Sequence, residues 1–258
     1  MPNDLRIHLT LVTHYGKKPH NIENLIMMLQ GKLSESLGFA FKPYDMEQVH
    51  GTIIGLEGII TDKGIVNQWF HELKKENRIV DLSRLLQYLR ADKLRDIEIK
   101  IGGWQLHEDY NFESRSKHPF ARSFSIQGEI VVAMGWPFQD NEYSERLYEL
   151  RKSFEEFNIL HKWNKDGYKD NDFFFVLGRV SKKYINPLVL QRTSSEIRTI
   201  LSGIDERVKI GKDTMSVVAY IDPQLPTTTS NAFSMEESEL TPETLERLYK
   251  QSITIGSS

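Results

Sequence analysis

Cysteine is absent from all 258 residues, which excludes disulfide frameworks, thiolate zinc sites and cysteine nucleophiles together. No apolar run approaches the ~20 residues of a membrane span. The opening Met-Pro-Asn-Asp has neither the positive n-region nor the apolar h-region of a secretory leader, so a soluble, cytoplasmic chain with no membrane partner is expected. Excess basic charge is also missing. Lys and Arg total 33 against 36 Asp and Glu, a formal net charge of −3, and no global field favours bulk duplex binding. There is no glycine-rich loop ending in Gly-Lys-Ser/Thr, no Gly-x-Gly-x-x-Gly after a strand, no Gly-x-Ser-x-Gly and no His-Glu-x-x-His. Nucleotide-hydrolase, dinucleotide, serine-hydrolase and zincin readings lose their main support. The eight histidines have no zinc-like spacing, so neither a metal nor a cofactor is expected.

What is present is enough apolar material for a real core: 39% hydrophobic residues, including 13 Phe, 10 Tyr and 4 Trp. Alternation with period two marks strands over Leu5 to Val12, Val49 to Leu56, Ile97 to Ile101, Ser123 to Met134 and Thr214 to Ile221. Phe173 to Leu177 is apolar on both faces and reads as a central strand. Helical spacing predicts helices from an Asn21 N-cap to near Gly38, and over Ile65 to Lys75, Leu82 to Leu94, Glu142 to Phe157, Ser194 to Leu201 and Glu243 to Lys250. Gly55, Gly58 and Gly64 punctuate a loop, and the last twenty residues are expected to be peripheral. This order is an α+β or mixed α/β plan.

Two tripeptides carry chemistry. His8-Leu9-Thr10 and His50-Gly51-Thr52 each place a His-x-Thr in an apolar strand. Period two sets imidazole and hydroxyl on one face about 7 Å apart, a spacing that can span a phosphate group.

The run Val49-His50-Gly51-Thr52-Ile53-Ile54-Gly55-Leu56-Glu57-Gly58 resembles the first signature of the two-histidine phosphoesterases, the group that includes RNA 2′,5′-ligase-like proteins and 2′,3′-cyclic phosphodiesterases. The element order is similar too, with a first strand and a helix before the His-x-Thr strand and Thr214 to Ile221 in the place of the family's late strand. Leu177-Gly178-Arg179 matches the end of the second signature, His-x-Thr-Leu-x-Arg. In that register the second His and Thr positions hold Phe174 and Val176, so the second motif is degenerate. The resemblance covers roughly residues 4 to 235.

It implies an α+β fold of two lobes, with antiparallel sheets around a central cleft and helices outside, over residues 1–235. Residues 236–258 are then an acidic segment with a short helix. It also implies a metal-independent phosphodiesterase acting on a cyclic or 2′-linked nucleotide or RNA-end phosphodiester, in which two imidazoles move protons and threonine hydroxyls hold phosphoryl oxygens. Two outcomes stay open for the missing pair. His8 and Thr10 can supply it beside His50 and Thr52, or the chain is a catalytically weak nucleotide- or RNA-end-binding module. Arg179 is a candidate phosphate contact and Tyr15 a candidate base-stacking ring. His14 and His20 are expected to be exposed, and His107, His118 and His161 to be ordinary loop residues. The polar loops carrying Tyr110, Phe112, Trp163 and Tyr168 can gate a cleft or choose a substrate.

Overall fold

The computed structural model describes residues 4–91, 96–163 and 168–254. The first expected strand is two, β1 (Asp4–Arg6) and β2 (His8–Thr13), divided at Ile7. Alternation along β2 puts Leu9 and Leu11 into the main core and turns Thr10 and Val12 to the other face. In α1 (His20–Leu37), Ile22, Leu25, Ile26, Leu29 and Leu33 recur at helical spacing and form its buried stripe. Pro19, not Asn21, is its N-cap; Asn21 lies within the first turn, and its amide donates to Glu206 at 2.7 Å. Gly38, with φ 53°, ends the helix.

β3 (Phe41–Pro43) and β4 (Gly51–Gly55) lead to a hairpin of β5 (Gly58–Thr61) and β6 (Gly64–Asn67), where the glycines alone imply a loop. α2 (Gln68–Lys74) starts later than expected because Ile65 and Val66 belong to β6. It and α3 (Leu82–Arg90) are capped by the Asn67 and Asp81 side chains. Leu94, the expected end of the helix that starts at Leu82, lies outside the described residues.

β7 (Ile97–Gly102) is followed by α4 (Pro119–Arg122), β8 (Phe124–Gln127), β9 (Ile130–Gln139) and β10 (Glu142–Tyr143). The run from Ser123 to Met134 is therefore a β8–β9 hairpin, and β9 pairs antiparallel with β7 across the polar stretch. α5 (Arg146–Ser153) leads to β11 (Phe173–Val180). α6 (Pro187–Ser202) begins well before Ser194 because Asn186 caps it and Pro187 opens it. The chain closes with β12 (Asp205–Ile210), β13 (Met215–Tyr220), β14 (Asn231–Ser234), α7 (Pro242–Lys250) and β15 (Ser252–Thr254).

The result is an α+β fold on a large antiparallel sheet of 11 strands, in the order β12-β7-β9-β11-β4-β2-β13-β14, with β3 beside β11 and β8 and β10 beside β9. One face packs against α1 and α6 and holds the main core. The other carries two smaller apolar clusters. Val12, Val218, Tyr220 and Leu225 form the first, with Tyr15 against it. Trp104, Val132, Met134 and Trp136 form the second, with Phe174 and Val176 against it. The C-terminal segment is not peripheral. Leu245 and Tyr249 lie in the main core, and α7 packs on α3 and β2, because its apolar residues fall at i, i+3 and i+4. No helix among the described residues is long and apolar enough to cross a membrane.

Candidate functional site

β4 enters the sheet at Gly51, with His50 on its threshold. Gly51 is paired with Thr13 of β2 on one side and Phe175 of β11 on the other. A Cβ at this position would overlap the Phe173 ring, so the glycine inside His50-Gly51-Thr52 is what lets β11 lie so close. Thr52 is the partner of Val12. Direct partners share a face, so Thr52 belongs to the side away from α1. Continuing the Phe175–Gly51 register sets Phe174 across from Thr52 and Val176 across from His50. Between Leu11↔Ile54 and Val12↔Thr52 one residue of β4, Ile53, is left over as a bulge.

His50 is 7% exposed. Its Nδ1 lies 2.7 Å from the Gln48 carbonyl. A carbonyl only accepts, so Nδ1 holds the proton and Nε2 of the neutral ring carries a lone pair. Among the described residues neither this Nε2 nor the Thr52 hydroxyl has a hydrogen-bond partner, and neither is sealed from solvent. Burial lowers the His50 pKa to about 4, and the charge of Lys18 pushes the same way. The Tyr15 ring meets the imidazole edge-on at 5.8 Å and is fixed by its hydroxyl donating to the Leu225 carbonyl at 3.0 Å. The Gln48 side chain donates to the Gln224 carbonyl at 2.7 Å, so the loop after β13 is tied over the same corner. Chemically, such an Nε2 can accept a hydrogen bond or a proton, and the Thr52 hydroxyl can donate or accept a hydrogen bond.

The other His-x-Thr is elsewhere. His8 is the partner of Tyr220, and its ring lies against that tyrosine at 5.8 Å. Thr13, not His8, faces Gly51, so His8 is about six residues, roughly 20 Å, along the strand from His50. The Thr10 hydroxyl donates to the Ile54 carbonyl at 3.2 Å. The pairing register, which tripeptide spacing does not encode, keeps these two residues from completing the His50 site. Arg179 pairs along β11 with Lys42 and Ile130, and its guanidinium makes an exposed ion pair with Glu129. His14 is buried rather than exposed, with Nε2 2.8 Å from the Lys209 carbonyl. His161 is buried as well, and its Nε2 is 2.7 Å from Asp170 Oδ2.

Two cations that the sequence leaves unremarked bear on the site. Lys18 folds back into its own turn, where its ammonium donates to the Gly16 and Met46 carbonyls. Burial lowers its pKa to about 8, and its charge is felt at His50. Arg151 is 1% exposed and clasps the bulge from behind. Its Nε donates to the Ile53 carbonyl at 2.8 Å and its Nη2 to the Thr52 carbonyl at 3.1 Å. The same guanidinium reaches the Asp170 carboxylate and the Asp172 carbonyl, joining β4 to the start of β11. Burial alone would raise the Asp170 pKa, but Arg151, the hydrogen bond from His161 and Arg115 together outweigh it and hold the carboxyl below its usual range. A lone Lys or Arg in a polar segment reads as a solvated surface residue, so no sequence signal singles these out. No group of three or more metal-ligating side chains gathers among the described residues.

No protein-family model and no curated protein matches the chain. Among solved structures it is similar to TT0787 of Thermus thermophilus, at 11% identity and a TM-score of 0.37 over 89% of this chain and 95% of that one. It is also similar to ATU0111, a conserved protein of unknown function from Agrobacterium tumefaciens. That likeness is 14% identity and a TM-score of 0.45 over 86% of this chain and 82% of that one. Likeness at this level assigns no function, which rests instead on the His50 face.

Proposed function

We propose that this protein is a nucleotide- or RNA-end-binding module on a two-lobed, two-histidine phosphoesterase-like plan, with His50 and Thr52 contacting the phosphate and little or no turnover. The observation that carries this reading is the Phe175–Gly51 register. Continued by one residue each way, it sets Phe174 and Val176, the positions that the resemblance gives to a second His and Thr, across from Thr52 and His50, while His8 sits at the far end of β2 against Tyr220. Acid-base cleavage of a phosphodiester needs one group to take a proton and another to give one, each worth about 10²–10⁴ in rate. Here one side of that exchange is an aromatic and an aliphatic side chain.

One observation favours a second reading, a metal-independent phosphodiesterase. Lys18, with its pKa lowered to about 8, is a cation near His50 able to give a proton near neutral pH, and His50 Nε2 is able to take one.

Equilibrium binding of 2′,3′-cyclic nucleotides, 2′-5′ and 3′-5′ linked dinucleotides and cyclic dinucleotides in excess chelator, with product assayed in the same samples, separates the two. The binding-module reading expects saturable binding of at least one compound. That binding is weakened about tenfold or more by His50→Ala or Thr52→Val and unchanged by His8→Ala, with no product above background. Product that disappears in His50→Ala and Lys18→Met would establish the enzyme. Absence of binding by every compound would remove both.

A further inference from the structure

On the same sheet face as His50 an open cavity of about 540 Å³ is lined by Glu113, Arg115, Ser116, Trp163 and Tyr168. Its cation is held in place with care. Ser114 and Lys117 exchange backbone hydrogen bonds of 3.0 Å, closing a two-residue turn in which Arg115 and Ser116 both have positive φ, 50° and 57°. That conformation suits Gly or Asn, and holding two other residues in it is the kind of strain that gathers where a ligand is clamped. The turn is anchored from below by Ser114, whose hydroxyl donates to Asp172 Oδ1 at 2.7 Å. Trp136 and Arg122 donate to the same carboxylate, and Arg115 Nε lies 3.5 Å from it.

Among the described residues Arg115, Arg122 and Arg151 pair with Asp170 and Asp172, and burial, with Arg151 adding to it, lowers the pKa of His161 to about 4. Arg115, with 38% side-chain exposure, presents its charge to the cavity. Its guanidinium lies 5.1 Å from the centre of the Trp163 ring, and the Lys162 ammonium is also 5.1 Å from it. Among the described residues Glu113 is the one carboxylate that lines the cavity, and it is exposed. An exposed indole beside a cation is the chemistry that takes a base and its phosphate together.

Position supplies the rest. Asp172 precedes β11 by one residue and bonds to Trp136, a member of the cluster that Phe174 and Val176 join. The cavity and the His50–Thr52 edge therefore share a face. Along β11 Asp172 is two residues, about 7 Å, from Phe174 across from Thr52 and four residues, about 13 Å, from Val176 across from His50, a span that a neighbouring nucleotide of the same strand can bridge. We infer that this cavity binds a nucleotide next to the one whose phosphate meets His50, so that the ligand class is a single-stranded oligonucleotide end rather than a mononucleotide. The inference rests on the phosphate-binding reading of His50 and fixes its ligand.

The test is fluorescence and calorimetric titration with uridine 2′,3′-cyclic phosphate and with the uridine trinucleotide bearing the same cyclic end, on wild type, His50→Ala, Trp163→Leu and Arg115→Gln. The expected result is trinucleotide binding about tenfold tighter than mononucleotide binding, one base–aromatic stack being worth about 5- to 150-fold. Trp163 emission should be quenched only by the trinucleotide. Trp163→Leu and Arg115→Gln should bring the trinucleotide down to the mononucleotide affinity while leaving mononucleotide binding as it was, which also reports that they fold. Equal, His50-dependent binding of both ligands would overturn the inference and leave the phosphate site standing. A trinucleotide preference that survives both cavity variants would overturn it as well. If neither ligand binds, the His50 reading fails first and the cavity assignment goes with it.

Discussion

Phe175 of β11 stands directly across from Gly51 of β4, and that single pair decides which side chains surround His50. If the missing second His-x-Thr is what holds turnover down, restoring it should release turnover. Phe174→His with Val176→Thr, in a chain that binds a 2′,3′-cyclic nucleotide, is expected to raise chelator-resistant hydrolysis by about 10²-fold or more. Both positions are partly exposed, so the exchange should be tolerated. Hydrolysis rates of the double variant with and without His50→Ala check this, and the gain should vanish with His50.

His50 also makes stability depend on pH. Its folded pKa is lowered to about 4 by burial, against about 6.5 in an unfolded chain. The unfolded state therefore binds more protons in this window, and stability is fully present above about pH 6.5 and lost as pH falls toward 4. The loss from His50 alone is about 3 kcal/mol. His14, lowered chiefly by burial, adds to it with the same sign. Urea unfolding at pH 7 and pH 4.5 should show a clearly smaller difference for His50→Gln than for wild type.

Arg151 holds Thr52 and Ile53 by their carbonyls and is paired with Asp170 at 3.2 Å in the interior. Removing one partner of a buried ion pair leaves the other charge uncompensated and costs about 3–5 kcal/mol. Arg151→Ala is expected to fall in that range by denaturant titration. Arg151→Lys should recover only part of it, because an ammonium lacks the planar fork that reaches several acceptors at once.

Gly51→Ala drives a methyl into the Phe173 ring. Overpacking of this kind costs about 1–3 kcal/mol, and adding Phe173→Leu should recover part of the loss. Thermal unfolding of the two variants checks the order.

Period-two alternation made the strands legible where one face is apolar, as with Leu9 and Leu11 in β2 or the Phe173–Phe175 side of β11. It also placed His50 and Thr52 on a common face. β12 was not legible, since Asp205, Glu206, Arg207 and Lys209 give a strand at the end of the sheet the look of a charged loop. The C-terminal helix was undervalued because Leu245, Leu248 and Tyr249 sit in an acidic context. Most consequential is register. His8-Leu9-Thr10 and His50-Gly51-Thr52 are alike as words, and only the pairing of Thr13 with Gly51 shows that they lie at opposite ends. The burial of Arg151 likewise depends on the Thr52 and Ile53 carbonyls, about a hundred residues away in the chain.

The most direct measurement is nitrogen NMR of the His50 imidazole during titration with 2′,3′-cyclic nucleotides in excess chelator, with phosphorus NMR followed in the same tube. A saturable shift confined to an unprotonated Nε2, with the Nδ1 proton kept on the Gln48 carbonyl and the cyclic phosphate intact, is the predicted result. An Nε2 resonance that does not move at saturating nucleotide, or conversion of the cyclic phosphate to a monoester that depends on both His50 and His8, would contradict the account.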